Sequence, residues 1–152
     1  MKGIPPPAFI LGWAGVIPFA ALTVMTLTPG TSAASLHASA ALQALVAYGM
    51  IILSFMGGVQ WGLEMTRTNG AAATGFAASV LPALAAFAAS FASTFAALLI
   101  LIGGFVALLA YDMSRLRAGI GPAWYGTLRL QLSSAVVLCL TAAAVASIGG
   151  IA

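Results

Sequence analysis

Long apolar runs separated by short polar stretches set the pattern of this chain. A helix rises 1.5 Å per residue, so about 20 mostly apolar residues cross a hydrocarbon core of about 30 Å. Five runs come near that length. The first is "FILGWAGVIPFAALTVMTL", residues 9–27. "PPP" precedes it, and proline suits a helix entrance because no backbone donor is needed there. Pro18 lies inside and is placed to kink the helix. "TPGTSAAS" then marks a turn. The second run covers 40–62. The third, 74–91, is rich in alanine and contains Pro82. The fourth covers 94–111. Only "SFAST" (90–94) separates the third from the fourth. One helix through both would be far too long for a bilayer, so a tight hairpin is required. The fifth run covers 128–148. The pattern predicts one all-α membrane domain, 1–152, built as a bundle of five transmembrane helices.

Composition supports a lipid environment. Of 152 residues, 62% are hydrophobic and 5% are charged. A soluble domain carries about 25% charged residues. The mean hydropathy is +1.14. The pI of 9.6 rests on only five basic residues. That is too few for a phosphate-binding surface, so nucleic acid is not an expected partner. The first run is longer than a signal-peptide core of about 7–15 residues and reads as a retained span. The lone cysteine, Cys139, allows neither an intrachain disulfide nor a thiolate cluster.

Charge then sets the threading. Lys2 precedes the first run, and Glu64 and Arg67 follow the second. Asp112, Arg115, Arg117 and Arg129 lie between the fourth and fifth. With five spans, every charged side chain falls on one side. Basic residues stay cytoplasmic, which predicts a cytoplasmic N-terminus, a periplasmic C-terminus and a bacterial inner membrane. Trp13, Trp61 and Trp124 lie near that same face, with Tyr111 and Tyr125, as half of an aromatic belt. We find no internal repeat, and an odd span count disfavours an inverted-repeat transporter.

Candidate chemistry is sparse. In "SFMGGVQWGLE" (54–64), Ser54, Gly58 and Gly62 recur every four residues, and Gly49 and Gly57 widen the stripe. Small residues let helices approach closely, so these five form a predicted packing seam. The alternative is a groove for a lipid, quinone or cofactor. Gln60, Trp61 and Glu64 end that helix. Glu64 and Arg67 are three apart and can pair, which fits a solvated carboxylate. A polar cluster in which Arg115, Arg117 or Arg129 holds Glu64 is the other reading. Asp112 and Arg115 repeat the three-residue spacing. The stretch 112–130, "DMSRLRAGIGPAWYGTLRL", reads as the longest polar connection, carrying Trp124, Tyr125 and Arg129. Its arginines can meet anionic lipid headgroups, worth about 1 kcal/mol each, or a partner protein. His37, the only histidine, is expected on the far face from both carboxylates, which excludes a His–carboxylate pair within one chain. The span cores hold no ionisable residue, which disfavours a pump. No catalytic residue, cofactor or metal site is predicted.

Three stretches carry a resemblance: "LGWAGVIPF" (11–19), "YGMIILSFMGGVQWGLEM" (48–65) and "GPAWYGTLRLQLS" (121–133). With them the chain resembles the transmembrane protein 69-like family, an uncharacterised membrane domain of bacteria and mitochondria. The matching residues are Gly12, Pro18, Tyr48, Gly49, Ser54, Phe55, Gly57, Gly58, Trp61, Gly62, Asp112, Trp124, Tyr125 and Arg129. Gln60 stands where the resemblance implies a basic residue or histidine, which argues against an essential charge or metal ligand there. The resemblance implies an inner-membrane protein and supplies no reaction. The leading expectation is a non-catalytic accessory subunit or assembly factor on a larger, respiratory or photosynthetic, membrane complex. The runner-up is a small transporter or a lipid- or quinone-binding protein. An interfacial enzyme using Glu64 or Asp112 ranks last.

Overall fold

The computed structural model describes residues 3–28, 32–67 and 72–148, without the side chains of 32–36. Lys2 and the middle of the "TPGTSAAS" turn lie outside the described residues. Among the described residues six helices follow in order: α1 (Pro6–Ala14), α2 (Ile17–Leu27), α3 (Ser32–Met65), α4 (Ala73–Ala89), α5 (Thr94–Arg117) and α6 (Ala123–Ile148). No strand occurs among the described residues.

The first predicted span is present as two helices. Pro18 has no N–H, and its ring clashes with the carbonyl four residues back, at Ala14. The helix therefore ends at Ala14 and restarts at Ile17. Gly15 N–H donates to the Leu11 carbonyl at 3.0 Å, and Val16 N–H to Trp13 at 3.0 Å. A carbonyl freed from a helix in lipid needs another donor. The Tyr48 hydroxyl of α3 supplies one to Gly15, at 3.0 Å. The Tyr48 ring packs on Phe19 with centroids 4.9 Å apart. Pro6–Leu27 still forms a unit of membrane-spanning length and apolarity, as do His37–Met65, Thr94–Arg117 and Ala123–Ile148.

The other boundaries differ in instructive ways. α3 has 34 residues and begins before the predicted 40, because "SAASLHA" is mixed in hydropathy yet rich in helix-forming alanine. α4 has only 17 residues, about 25 Å, the short end of what crosses a bilayer. The hairpin to α5 closes over 90–93, where Ser93 caps α5 by accepting from Ala96 N–H at 3.5 Å. α5 runs six residues past the predicted 111, and α6 starts five before the predicted 128. The predicted long polar connection therefore shrinks to 118–122, where Gly119 (φ 75°) and Gly121 (φ 104°) turn the chain. Left-handed backbone of this kind favours glycine.

α3 lies centrally against α2, α4 and α5, and α6 closes the bundle on α2 and α5. Phe19, Leu45, Leu53, Leu98, Leu101, Phe105 and Leu140 fill its core. The glycine seam differs from the predicted stripe. Gly49 faces Leu101, and Gly104 faces Leu53; a Cβ at either would approach the leucine methyl at 2.9 and 2.7 Å. Two reciprocal glycine–leucine contacts thus set how closely α3 and α5 approach. Gly57 faces the α4 backbone, where a Cβ would lie 2.5 Å from the Ser79 carbonyl oxygen. Gly58 and Gly62 have nothing within 4 Å. Ser54 Oγ donates to its own helix, to the Met50 carbonyl at 2.8 Å. Gly58 and Gly62 of the every-fourth-residue stripe therefore face away from the contact, which follows positions 49 and 57.

Candidate functional site

α3 and α5 run in the same direction, so their C-terminal ends meet. Gln60 and Glu64 lie one turn apart on α3. Asp112 and Arg115 lie about one turn apart on α5. Two polar rungs form between them. In the first, Gln60 Nε2 donates to Asp112 Oδ1. Arg129 reaches in from α6, its Nε donating to Asp112 Oδ2 at 2.5 Å. In the second, Arg115 Nη1 pairs with Glu64 Oε2 at 2.6 Å. Arg67 Nη1 and the Ala72 backbone N–H both donate to Glu64 Oε1, at 2.8 and 2.7 Å. Tyr111 supports Arg115 from below, its hydroxyl accepting from Nη1 at 3.2 Å while the ring lies 5.6 Å from the guanidinium.

Burial is nearly complete. Glu64 is 0% exposed, Asp112 and Gln60 1%, Arg129 4% and Arg115 7%. Charges this deep persist only when paired and hydrogen-bonded, because desolvation costs several kcal/mol per ion. Gly75, in the first turn of α4, makes room: a Cβ there would overlap the Glu64 carboxylate. The network therefore joins α3, the entry to α4, α5 and α6 at one end of the bundle. Each carboxylate oxygen already faces a nitrogen donor, at Glu64 Oε2 through the ion pair with Arg115 alone.

Of the predicted cluster, the structure brings together Gln60, Glu64, Arg67, Asp112, Arg115 and Arg129. Arg117, Trp61 and Trp124 stand apart, whereas the buried Tyr125 hydroxyl lies within electrostatic reach of Asp112 and Arg129. Arg117 is exposed. Trp61 packs on Phe76, centroids 4.7 Å apart, and is 45% exposed. Trp124 and Tyr125 meet edge to face at 6.2 Å. The Glu64–Arg67 pair forms, but as part of a buried cluster rather than in solvent. Asp112 pairs with Arg129 and Arg115 with Glu64, instead of with each other. Interhelical partners displace the three-residue pairing because α3 and α6 bring them directly opposite. At their ends the helices continue through these charges, beyond the predicted limits of the second and fourth spans. Gln60, Glu64, Asp112, Arg115 and Arg129 lie within α3, α5 and α6 and are packed inside the bundle, whereas Arg67 lies just past the end of α3 and is partly exposed.

Sequence reasoning missed Tyr111 as a partner of Arg115 and Gly75 as the space for Glu64. His37 lies 27 residues before Glu64 on the same helix, about 40 Å away along its axis. No group of three or more His, Cys, Asp or Glu that could hold a metal occurs among the described residues. A lipid-facing groove of about 440 Å³ includes Ser54, Ala83 and Ala86, but Tyr48 is turned away toward Gly15.

Comparison with known proteins adds a family. Residues 4–145 match the family described as "Protein of unknown function (DUF3429)". The chain is similar to "Transmembrane protein 69" of Xenopus tropicalis, with 34% identity over 145 residues. That alignment covers 92% of this chain and 54% of the relative, so the chain spans about half the relative's length. No solved structure matches.

Proposed function

The chain belongs to the family described as "Protein of unknown function (DUF3429)", and from that premise we propose that it is a non-catalytic accessory subunit or assembly factor of a larger membrane complex. The observation that carries this reading is the state of the carboxylates. Glu64 and Asp112, the chain's only two, are both buried and clamped by arginines. Such groups hold helices in register and leave no poised acid or base. A short α4 supports the reading from outside. Among the described residues it packs chiefly on α3 and α5. Its Leu84 and Phe87, with Phe91 just beyond, stay exposed and can meet either lipid or a partner helix.

The proposed location is a bacterial inner membrane, with the polar end of the bundle cytoplasmic. The positive-inside rule supports that orientation, because Arg67 and Arg117 flank this end. Blue-native electrophoresis after mild solubilisation tests the function. Migration in a high-mass complex is expected. Migration solely as a monomer or homo-oligomer would contradict it. Cysteine labelling in intact cells tests the orientation: an Arg117→Cys variant should resist a membrane-impermeant maleimide until lysis.

A further inference from the structure

Beside the ionic network lies a second polar feature that the network does not use. A cavity of about 200 Å³ opens where α1 breaks into α2, between α3, α5 and α6. Its wall is apolar, with Gly15, Phe19, Phe55 and Phe105 among its residues, except for Arg129 and Ser133. Arg129 is 4% exposed and Ser133 1%. Arg129 Nη2 and Ser133 Oγ are buried and have no hydrogen-bond partner among the described residues. The two residues lie one turn apart on α6, and leaving such donors without acceptors is costly there, about 1–3 kcal/mol for the neutral hydroxyl and more for the charged guanidinium. They mark a position where an acceptor belongs.

We infer that this cavity binds a neutral, lipid-soluble molecule through a planar carbonyl, whose oxygen accepts from Arg129 Nη2 and Ser133 Oγ. Three observations fix that chemistry. The size is right: a cavity of about 150 Å³ holds benzene, so about 200 Å³ holds one substituted ring or an ester group with the start of its chain. The lining is right, because Phe19, Phe55 and Phe105 offer aromatic side chains against which a flat group can pack. The charge is decisive. Asp112 already matches the Arg129 charge at 2.5 Å. A carboxylate or phosphate on the other side of that guanidinium would be repelled by Asp112, whereas an uncharged carbonyl would not. Two sources carry this group, a quinone ring and an acylglycerol ester. The inference goes beyond the accessory-subunit reading and does not depend on it, since the ligand is held by one chain.

The test uses the full chain purified in dodecyl maltoside, a detergent without a carbonyl. Decylubiquinone, dioleoylglycerol and oleate are added separately at matched concentration, and adducts are counted by native mass spectrometry. A one-to-one adduct with decylubiquinone assigns the ring, and one with dioleoylglycerol assigns the ester. Either supports the site. Ser133→Ala should weaken that binding about three- to tenfold, the effect of one neutral hydrogen bond. The same variant should unfold at an unchanged or higher temperature without ligand, because no bond from Ser133 Oγ is lost. Val136→Phe fills the cavity and should abolish binding. Should that variant fail to fold, Ser133→Ala still decides. Absence of adducts with both neutral probes, tighter binding of oleate than of either, or unchanged affinity in Ser133→Ala would each overturn the inference.

Discussion

Replacing Asp112 with alanine removes the hub of the first rung. Arg129 then keeps its charge at 4% exposure with no carboxylate beside it, and Gln60 Nε2 loses its acceptor. Breaking a buried pair by removing one partner costs about 3–5 kcal/mol. Total stabilities of about 5–15 kcal/mol make that a large loss. Removing both charges should cost much less. In Asp112→Ala with Arg129→Met, only the Gln60 amide is stranded, at about 1–3 kcal/mol. The assay is reversible unfolding in mixed micelles, followed by circular dichroism, on wild type, both single variants and the double. The double variant should be more stable than Asp112→Ala, and the two sites should couple by at least about 2 kcal/mol. If Asp112→Ala unfolds within about 1 kcal/mol of wild type, or if the single effects simply add, the pair is not the buried lock described here.

Glycine contacts give a sharper contrast on neighbouring residues. Gly57→Ala would press on the Ser79 carbonyl at 2.5 Å and should destabilise by about 1–3 kcal/mol. Gly58→Ala meets open space and should be neutral or stabilise by up to about 1 kcal/mol; equal effects on thermal unfolding would refute the assigned seam. Tyr48→Phe removes the donor to the Gly15 carbonyl and should cost about 1–3 kcal/mol in the same measurement, with no loss if that carbonyl is otherwise satisfied. Arg117→Gln should leave stability within about 0.5 kcal/mol of wild type, because the side chain is exposed; a larger fall would place Arg117 inside the network.

Much of the bundle was legible because lipid imposes length and apolarity on every span. The proline at 18 announced a kink, which the structure carries through to a break, and the hairpin within 90–94 followed from length alone. The ends of the helices were less legible. α5 and α6 continue through charged residues, and a hydropathy pattern stops at a charge even when the helix does not. Asp112 and Arg129 therefore read as loop or entry residues, although a partner on the facing helix lets each stay buried. The glycine stripe failed for a related reason. Spacing by four defines a face but not which neighbour that face meets, and Gly57 rather than Gly58 points at α4. Ser133 carried no signal by itself. Its meaning came only from the cavity that Pro18, by breaking the first span, helps to open.

The central claim is that both carboxylates are sealed inside the bundle by arginines from other helices. Proton–nitrogen NMR of the arginine side chains in micelles tests it most directly. The Nε–H signal of Arg129 should persist long after transfer to deuterated water and should shift or vanish in Asp112→Asn, while that of Arg117 is lost at once. An Arg129 signal that exchanges as fast as that of Arg117 would contradict the claim.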